Sequence, residues 1–302
     1  MSLCFPLCKV APFLSHMKQV ETLVEDIYNL FTLDPIEMDE EEVDKHIDNF
    51  GNMLKTHIKE FLYEKPKDRT NLRLSAIGKP NRQLWYDLNK PLRDVQLQPS
   101  TRIKFLYGYI LEELLLLCAS ISGHTVTDQQ REVEVEGVSG HQDAMIDGVL
   151  VDCKSASGPG FDKFRYHKLT EDDPFGYIAQ ISAYAHANGV DRAAFLAINK
   201  STGEICLTPV HQMDMINAKK RVEYLKGMVT DSVVPDRCYD AVPDGKSGNH
   251  KLAVGCVYCG HKRECWQDAN QGKGLRVFQY AKGKRFLTQV RKEPEVEEVV
   301  NW

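Results

Sequence analysis

The stretch SGHQDAMIDGVLVDCKSAS, residues 139–157, places Asp143, Asp147, Asp152 and Lys154 among mostly apolar neighbours. Asp147-Gly148 is a strong signal for a two-residue type I′ turn, whose central positions both need positive φ. That turn pairs Ile146 with Val149, Met145 with Leu150, Ala144 with Val151 and Asp143 with Asp152. The two aspartates then face each other on one side of a hairpin, and strand alternation puts Lys154 on that side too. Like charges directly opposed destabilise a ladder unless a cation lies between them. Mg²⁺, typically held by one or two carboxylates with waters and phosphate oxygens, suits that place. The simpler alternative makes Asp147 and Asp152 turn and edge residues and leaves Lys154 solvated. Asp147 belongs to the turn on either reading. His141 lies on the charged side as a wall residue or, less commonly, a ligand.

Upstream, PSTRIKFLYGYILEELLLLCASISG (99–123) is apolar nearly all round, which predicts a buried helix begun by Ser100 or Thr101 and stopped by Gly123. Glu112 shares a face with Phe105, Gly108, Tyr109, Leu115 and Leu116. An ionised carboxylate there is costly unless paired or metal-bound. Glu113 is the neighbouring alternative, and a core ion pair the bland one. REVEVEGVSGHQDAMI (131–146) reads as one strand, and SGPGFDKF (157–164) as a loop. DPFGYIAQISAYAHANG (173–189) predicts a helix with Pro174 near its start and Gly189 at its stop. On it Gln180 and Tyr184, four apart, share a face. A hairpin turning near Thr202-Gly203, a helix over about 210–229 and two closing strands, LRVFQY and KRFLTQV, follow.

The first 70 residues read as helices at three- and four-residue apolar spacing, ending in a linker, KPKDRTN. The whole is an α/β pattern, a mixed sheet flanked by helices, with a helical region 1–70 and the remainder over 71–302. No apolar run is long enough to span a bilayer, and MSLCFPLCKVAPFLSHMK lacks a basic segment ahead of its apolar one. A cytoplasmic protein with no membrane partner is expected.

Net charge is −5, yet residues 245–292 carry eleven Lys and Arg against two acids, a local +9. DEEEVD (39–44) and EPEVEE (293–298) concentrate the acids elsewhere. Such a basic segment suits either a polyanion partner or a plain solvated surface. Trp266, Phe278 and Tyr280 within it could stack on bases or fill a core. Of nine cysteines, Cys4, Cys8, Cys118, Cys153 and Cys206 are scattered and read as small hydrophobes. Cys238, Cys256, Cys259 and Cys265 cluster with a C-x2-C-x5-C run, a spacing that suits tetrahedral Zn²⁺ or an iron–sulfur cluster. His250 and His261 are spare ligands.

Gly140-His141-x-Asp143, Asp152-Cys153-Lys154, Glu112 four residues after Gly108, and Gln180 with Tyr184 occur together in this order. In that order they resemble the GHxD, (D/E)-x-K, upstream-helix acid and QxxxY elements of the PD-(D/E)XK nuclease superfamily, RecB-type exonuclease branch, as encoded by tailed phages. The resemblance covers about 75–266. In many relatives the upstream helix position holds a histidine where this chain has Glu112. It implies a metal-dependent DNA exonuclease in which Glu112, Asp143, Asp152 and the Cys153 carbonyl hold Mg²⁺ or Mn²⁺. Lys154 then positions the attacking water, and Gln180 and Tyr184 border the DNA and the catalytic centre. The cysteine run is similar to the [4Fe–4S] site of iron–sulfur nucleases, whose first ligand lies upstream in a CPR element. Here the comparable IGKPNRQLW (77–85) has Pro80 and Arg82 but no cysteine, so Cys238 stands as the fourth ligand, with structural Zn²⁺ as the alternative. The other readings are a catalytically inactive DNA-binding accessory protein and a structure-specific endonuclease. The N-terminal helices are open to a protein partner or self-association.

Overall fold

Asp147 and Gly148 adopt φ of 49° and 78°, so the hairpin closes on the two-residue turn its sequence calls for. The structure, a computed structural model, describes residues 18–32, 35–36, 38–63, 71–92, 99–300 and 302. The N-terminal leader reading, Cys4, Cys8, most of the KPKDRTN linker and the boundary near residue 70 lie outside the described residues or at their edge.

The elements of the core are α1 (Leu23–Asn29), α2 (Glu40–Tyr63), α3 (Asn81–Asn89), α4 (Pro99–Ile121), β1 (Val126–Thr127), β2 (Glu132–Val135), β3 (Val138–His141), β4 (Ala144–Ile146) and β5 (Val149–Ala156). They continue with α5 (Gly158–Arg165), α6 (Tyr177–Asn188), β6 (Arg192–Asn199), β7 (Ile205–His211) and α7 (Ala218–Thr230). One mixed sheet runs β1-β4-β5-β6-β7, antiparallel except for the parallel pair β5–β6. Alternation along β5 sorts its side chains to two layers. Leu150 packs with α5, α6 and α7, while Val149, Val151 and Cys153 pack with α1 and α4. The chain is thus a mixed α/β fold with helices on both faces of its sheet.

Four expectations are corrected. Residues 131–146 are not one strand: Glu136-Gly137, at φ of 50° and 75°, makes a second hairpin of β2 and β3, and β4 starts afresh at Ala144. The unbroken EVEV alternation hides that turn, because glutamate is not a usual residue at its first central position. The SGPGFDKF loop is α5, where Pro159 in the first turn suits a helix start and Phe161 and Phe164, three apart, bury one face. The helix over 173–189 starts only at Tyr177: Pro174 precedes it, and Asp173 caps it by accepting from the backbone N–H of Tyr177 (2.9 Å) and of Ile178 (2.8 Å). Helix α4, expected to be buried, is buried only in its second half. Ile103, Phe105, Tyr107 and Tyr109 in its first half are exposed.

Beyond α7 a smaller sheet forms in the order β10-β11-β9-β8 from β8 (Val242–Pro243), β9 (His250–Lys251), β10 (Arg276–Tyr280) and β11 (Gly283–Gln289). The acidic tail folds back onto it. Arg276 bridges Glu293 (2.6 Å) and Glu298, and Asp244 takes Arg285 (2.8 Å) and Lys251 (3.2 Å). The basic run is therefore partly neutralised within the chain. Trp266 and Phe278 are buried core residues, with no face open to a base.

Candidate active site and cysteine cavity

The register places Asp152 at the centre of β5, paired with Phe195 of β6, with its side chain 1% exposed. Lys154, two residues on, turns to the same side and forms an ion pair with Asp152 Oδ2. The β4–β5 ladder ends at Ala144–Val151, so Asp143 is not paired opposite Asp152 as the sequence predicts. Its carboxylate instead reaches across and accepts from the Cys153 N–H at 2.7 Å. Cys153 buries its thiol on the opposite face, so only its backbone is directed to this end of the sheet.

Two helices from opposite layers complete the cluster. From α4, Glu112 accepts from the Gln130 side-chain amide at 2.5 Å, and its charged neighbours include Asp143, Lys154 and Asp152. Glu113 points elsewhere: it is buried against His57 of α2 at 3.3 Å, a core ion pair. Of the two glutamates, Glu112 is the one that stands among Asp143, Asp152 and Lys154. From α6, Gln180 donates to Asp152 Oδ1 at 3.3 Å and lies 3.5 Å from the Tyr184 hydroxyl. Gly140 is required here, because a Cβ would stand 2.8 Å from Leu74 Cβ and 3.0 Å from the Tyr184 ring. The glycine lets Tyr184 seat against β3. His141 is exposed, opposite Glu132 in the β2–β3 pair.

Crowded, buried acids resist ionising together. Burial first, then Asp143 and Glu113, push the Glu112 carboxyl up to about 9. Burial and Asp152 push Asp143 up to about 7. Burial works against the Lys154 ammonium, but Asp152 and Asp143 outweigh it and hold the amine above its ordinary range. Burial, then Asp152, likewise raises the Tyr184 phenol. Lys154 is thus a permanent cation, a donor and not a proton acceptor. The oxygen donors suit a hard divalent cation, and the suppressed ionisation of Glu112 and Asp143 is what such a cation would relieve. Among the described residues, no three His, Cys, Asp or Glu side chains stand together in metal-holding geometry. In this arrangement the Lys154 ammonium and the Gln130 amide serve as partners of Asp152 and Glu112.

A recess elsewhere in the molecule is lined by all four clustered cysteines, with Arg82, Arg237, His261, Lys262 and Trp266. Arg82 of α3 donates to Cys265 Sγ at 3.1 Å, and burial pushes the Cys256 thiol up to about 11. His261 is spent on Asp87 at 2.8 Å, and His250 sits in β9. Cys118 and Cys153 are buried and Cys206 half-buried, as small hydrophobes should be.

Sequence reading missed Gln130, which orients Glu112, and His57, which occupies Glu113. Neither lies within a motif, and each acts across 18 or 56 residues of chain. In the sequence Arg82 belongs to the IGKPNRQLW stretch, and the structure brings it to a cysteine 183 residues away.

No family model matches the chain, and no curated protein matches it. Solved structures do. SSO0001 aligns over 70% of this chain and 90% of its own, at 15% identity and a TM-score of 0.37. A phage-related exonuclease from Haemophilus somnus 129PT aligns over 53% and 90%, at 14% identity and 0.35. An alkaline exonuclease from Laribacter hongkongensis aligns over 51% and 86%, at 13% identity and 0.27.

Proposed function

We propose that this chain is a divalent-metal-dependent deoxyribonuclease of the RecB-type PD-(D/E)XK kind, acting as an exonuclease. One observation carries the reading. Glu112, Asp143, Asp152, Lys154, Gln180 and Tyr184, drawn from α4, the β4–β5 hairpin and α6, converge on one end of the sheet. A core does not gather three carboxylates and a lysine without a chemical use for them, because each buried charge costs several kcal/mol unless compensated.

Glu112, Asp143, Asp152 and the Cys153 carbonyl would hold Mg²⁺ or Mn²⁺. Such an ion supplies a water of lowered pKa and offsets charge on the phosphate. Lys154, fixed as a cation by its two aspartates, donates to the attacking water or to a phosphate oxygen and adds positive charge where the reaction accumulates negative charge. Gln180 holds Asp152 in place, and Gln130 does the same for Glu112. The cysteine cavity would take a [4Fe–4S] cluster, with Zn²⁺ as the alternative, as a staple between the C-terminal segment and α3. The domain reading follows: residues 71–302 form the nuclease unit, and α2 is free for a protein partner or another copy. Among the described residues no helix is long and apolar enough to cross a membrane.

The test is digestion of end-labelled linear DNA, single- and double-stranded, beside covalently closed circles, with Mg²⁺, Mn²⁺ or EDTA. Metal-dependent loss of linear DNA alone is expected. Asp152→Asn and Lys154→Ala should lower it by on the order of 100-fold or more while DNA binding persists. Cut circles would make the protein an endonuclease. Binding without cleavage in any metal would make it an inactive accessory protein.

A further inference from the structure

Trp266 and Phe278 of the basic C-terminal segment are buried, whereas the active-site end of the molecule carries an exposed aromatic ring. Phe175 is 65% exposed, on the turn that leads into α6. Its ring lies 5.5 Å from that of Tyr177, and the Lys154 ammonium sits 5.2 Å from the Tyr177 centroid. Lysine, tyrosine and phenylalanine therefore form a continuous row from the buried cluster out to solvent.

That row is rigidly built. Gly176, between the two rings, has φ of 74°, and a Cβ on it would overlap the backbone of Gly78, as one on Gly78 would overlap Gly176. Two chain segments are thus in direct backbone contact at the base of Phe175. The 77–79 segment is itself held by Arg221, which donates to the carbonyls of Ile77 (2.9 Å) and Lys79 (3.2 Å). Asp173 pins the other flank by capping α6, and Phe164 and Phe195 brace the Tyr177 ring at 5.8 and 6.3 Å. Of the three acids just before the ring, Asp173 is committed to the cap and Asp172 to Lys163 at 2.7 Å, leaving Glu171 to solvent. An apolar ring fixed in water beside a charged centre forgoes the stabilisation that burial would bring.

Resting on the nuclease reading above, we propose that Phe175 is the stacking platform for an unpaired nucleobase, so that the site takes single-stranded or frayed DNA ends. The base adjoining the scissile phosphate lies flat on Phe175 while that phosphate meets Lys154. Every base has a π-face, so the platform is indifferent to sequence, as an exonuclease requires. A duplex end must unstack its last pair to use it, which makes blunt ends the poorer substrate.

The experiment uses the full chain in Ca²⁺, and again in EDTA, with single-stranded oligonucleotides carrying 2-aminopurine at either the 5′ or the 3′ terminal nucleotide. Binding should quench one of the two probes. Phe175→Ala should abolish the quench and weaken single-strand affinity about 5- to 150-fold, and Phe175→Trp should keep both. In Mg²⁺ the alanine variant should raise KM for single strands with kcat little changed. Equal affinity and undiminished quench in Phe175→Ala, with a wild type that still binds and cleaves, would overturn the platform alone. A wild type that binds no DNA would overturn the platform and the nuclease reading together.

Discussion

Glu112 and Asp143 retain protons in the folded chain that the same groups lose near pH 4 when unfolded: Asp143 up to about 7 and Glu112 up to about 9. Across that window the folded state binds more protons than the unfolded one, so rising pH lowers stability until both values are passed. A divalent cation binds only the ionised carboxylates and opposes the loss, by more at higher pH. In EDTA the melting temperature should therefore fall between about pH 6 and pH 9. The gain on adding Mg²⁺ should grow over the same range, to a few degrees at the alkaline end. A Mg²⁺ effect that is the same at both ends of the range would mean that these carboxylates are not the ligands. Lys154 behaves differently from its neighbours, because its two aspartates keep it charged throughout. The motif names the residue types here, but which of the three acids holds its proton is a matter of burial, which spacing does not show.

At the scale of elements, α2 lies on the outside of the described fold. None of its 24 residues is fully buried, and it leans on α4 alone among the larger elements through His57, which stacks on Tyr109 at 4.8 Å and meets Glu113 at 3.3 Å. Arg102 of α4 adds a bond to the Phe61 carbonyl at 2.8 Å. The Glu113 hydrogen bond, against the opposing effect of burial, holds the His57 imidazole above its ordinary range. The pair's contribution is complete below that ordinary value and is lost as pH rises through the elevated one. Amide exchange in α2, corrected for its intrinsic pH dependence, should accelerate several-fold between about pH 6 and pH 9 while α6 is unchanged. His57→Ala should show the fast rate at every pH. The amphipathic spacing of α2 is plain in the sequence. Its partner is not, because both helices leave apolar side chains exposed and only packing selects which faces meet.

The whole molecule is tied together at the cysteine cavity, where α3, the segment after α7 and the C-terminal sheet meet. Arg82 reaches Cys265 and the Pro235 carbonyl (2.5 Å), and His261 reaches Asp87, so disrupting the four cysteines should loosen three parts of the chain at once. Anaerobically purified protein should be brown and hold iron and sulfide. Cys259→Ser should lose both and melt several degrees lower, while the chemistry at Asp152 persists in whatever protein remains folded. Colourless protein with stoichiometric zinc would identify the site as a zinc knot.

Much of this was present in local sequence. Asp147-Gly148 determines the turn, the turn sets the β4–β5 register, and alternation puts Asp152 and Lys154 on one face, because each of these rules acts over two to four residues. The four-residue spacing likewise puts Gln180 and Tyr184 on one side of α6, and cysteine spacing alone singled out 238–265. The tertiary structure alone decided the rest. It rotated α4 so that Glu112 meets the hairpin and Glu113 meets His57, which adjacent residues of identical chemistry cannot signal. It folded the acidic tail over the basic sheet and buried Trp266 and Phe278, so the charge run that suggested a polyanion surface is partly spent inside the chain. It left Phe175 in water beside Lys154 instead. Pairing across tens or hundreds of residues depends on which faces pack, and packing is a property of the folded whole that no short window contains.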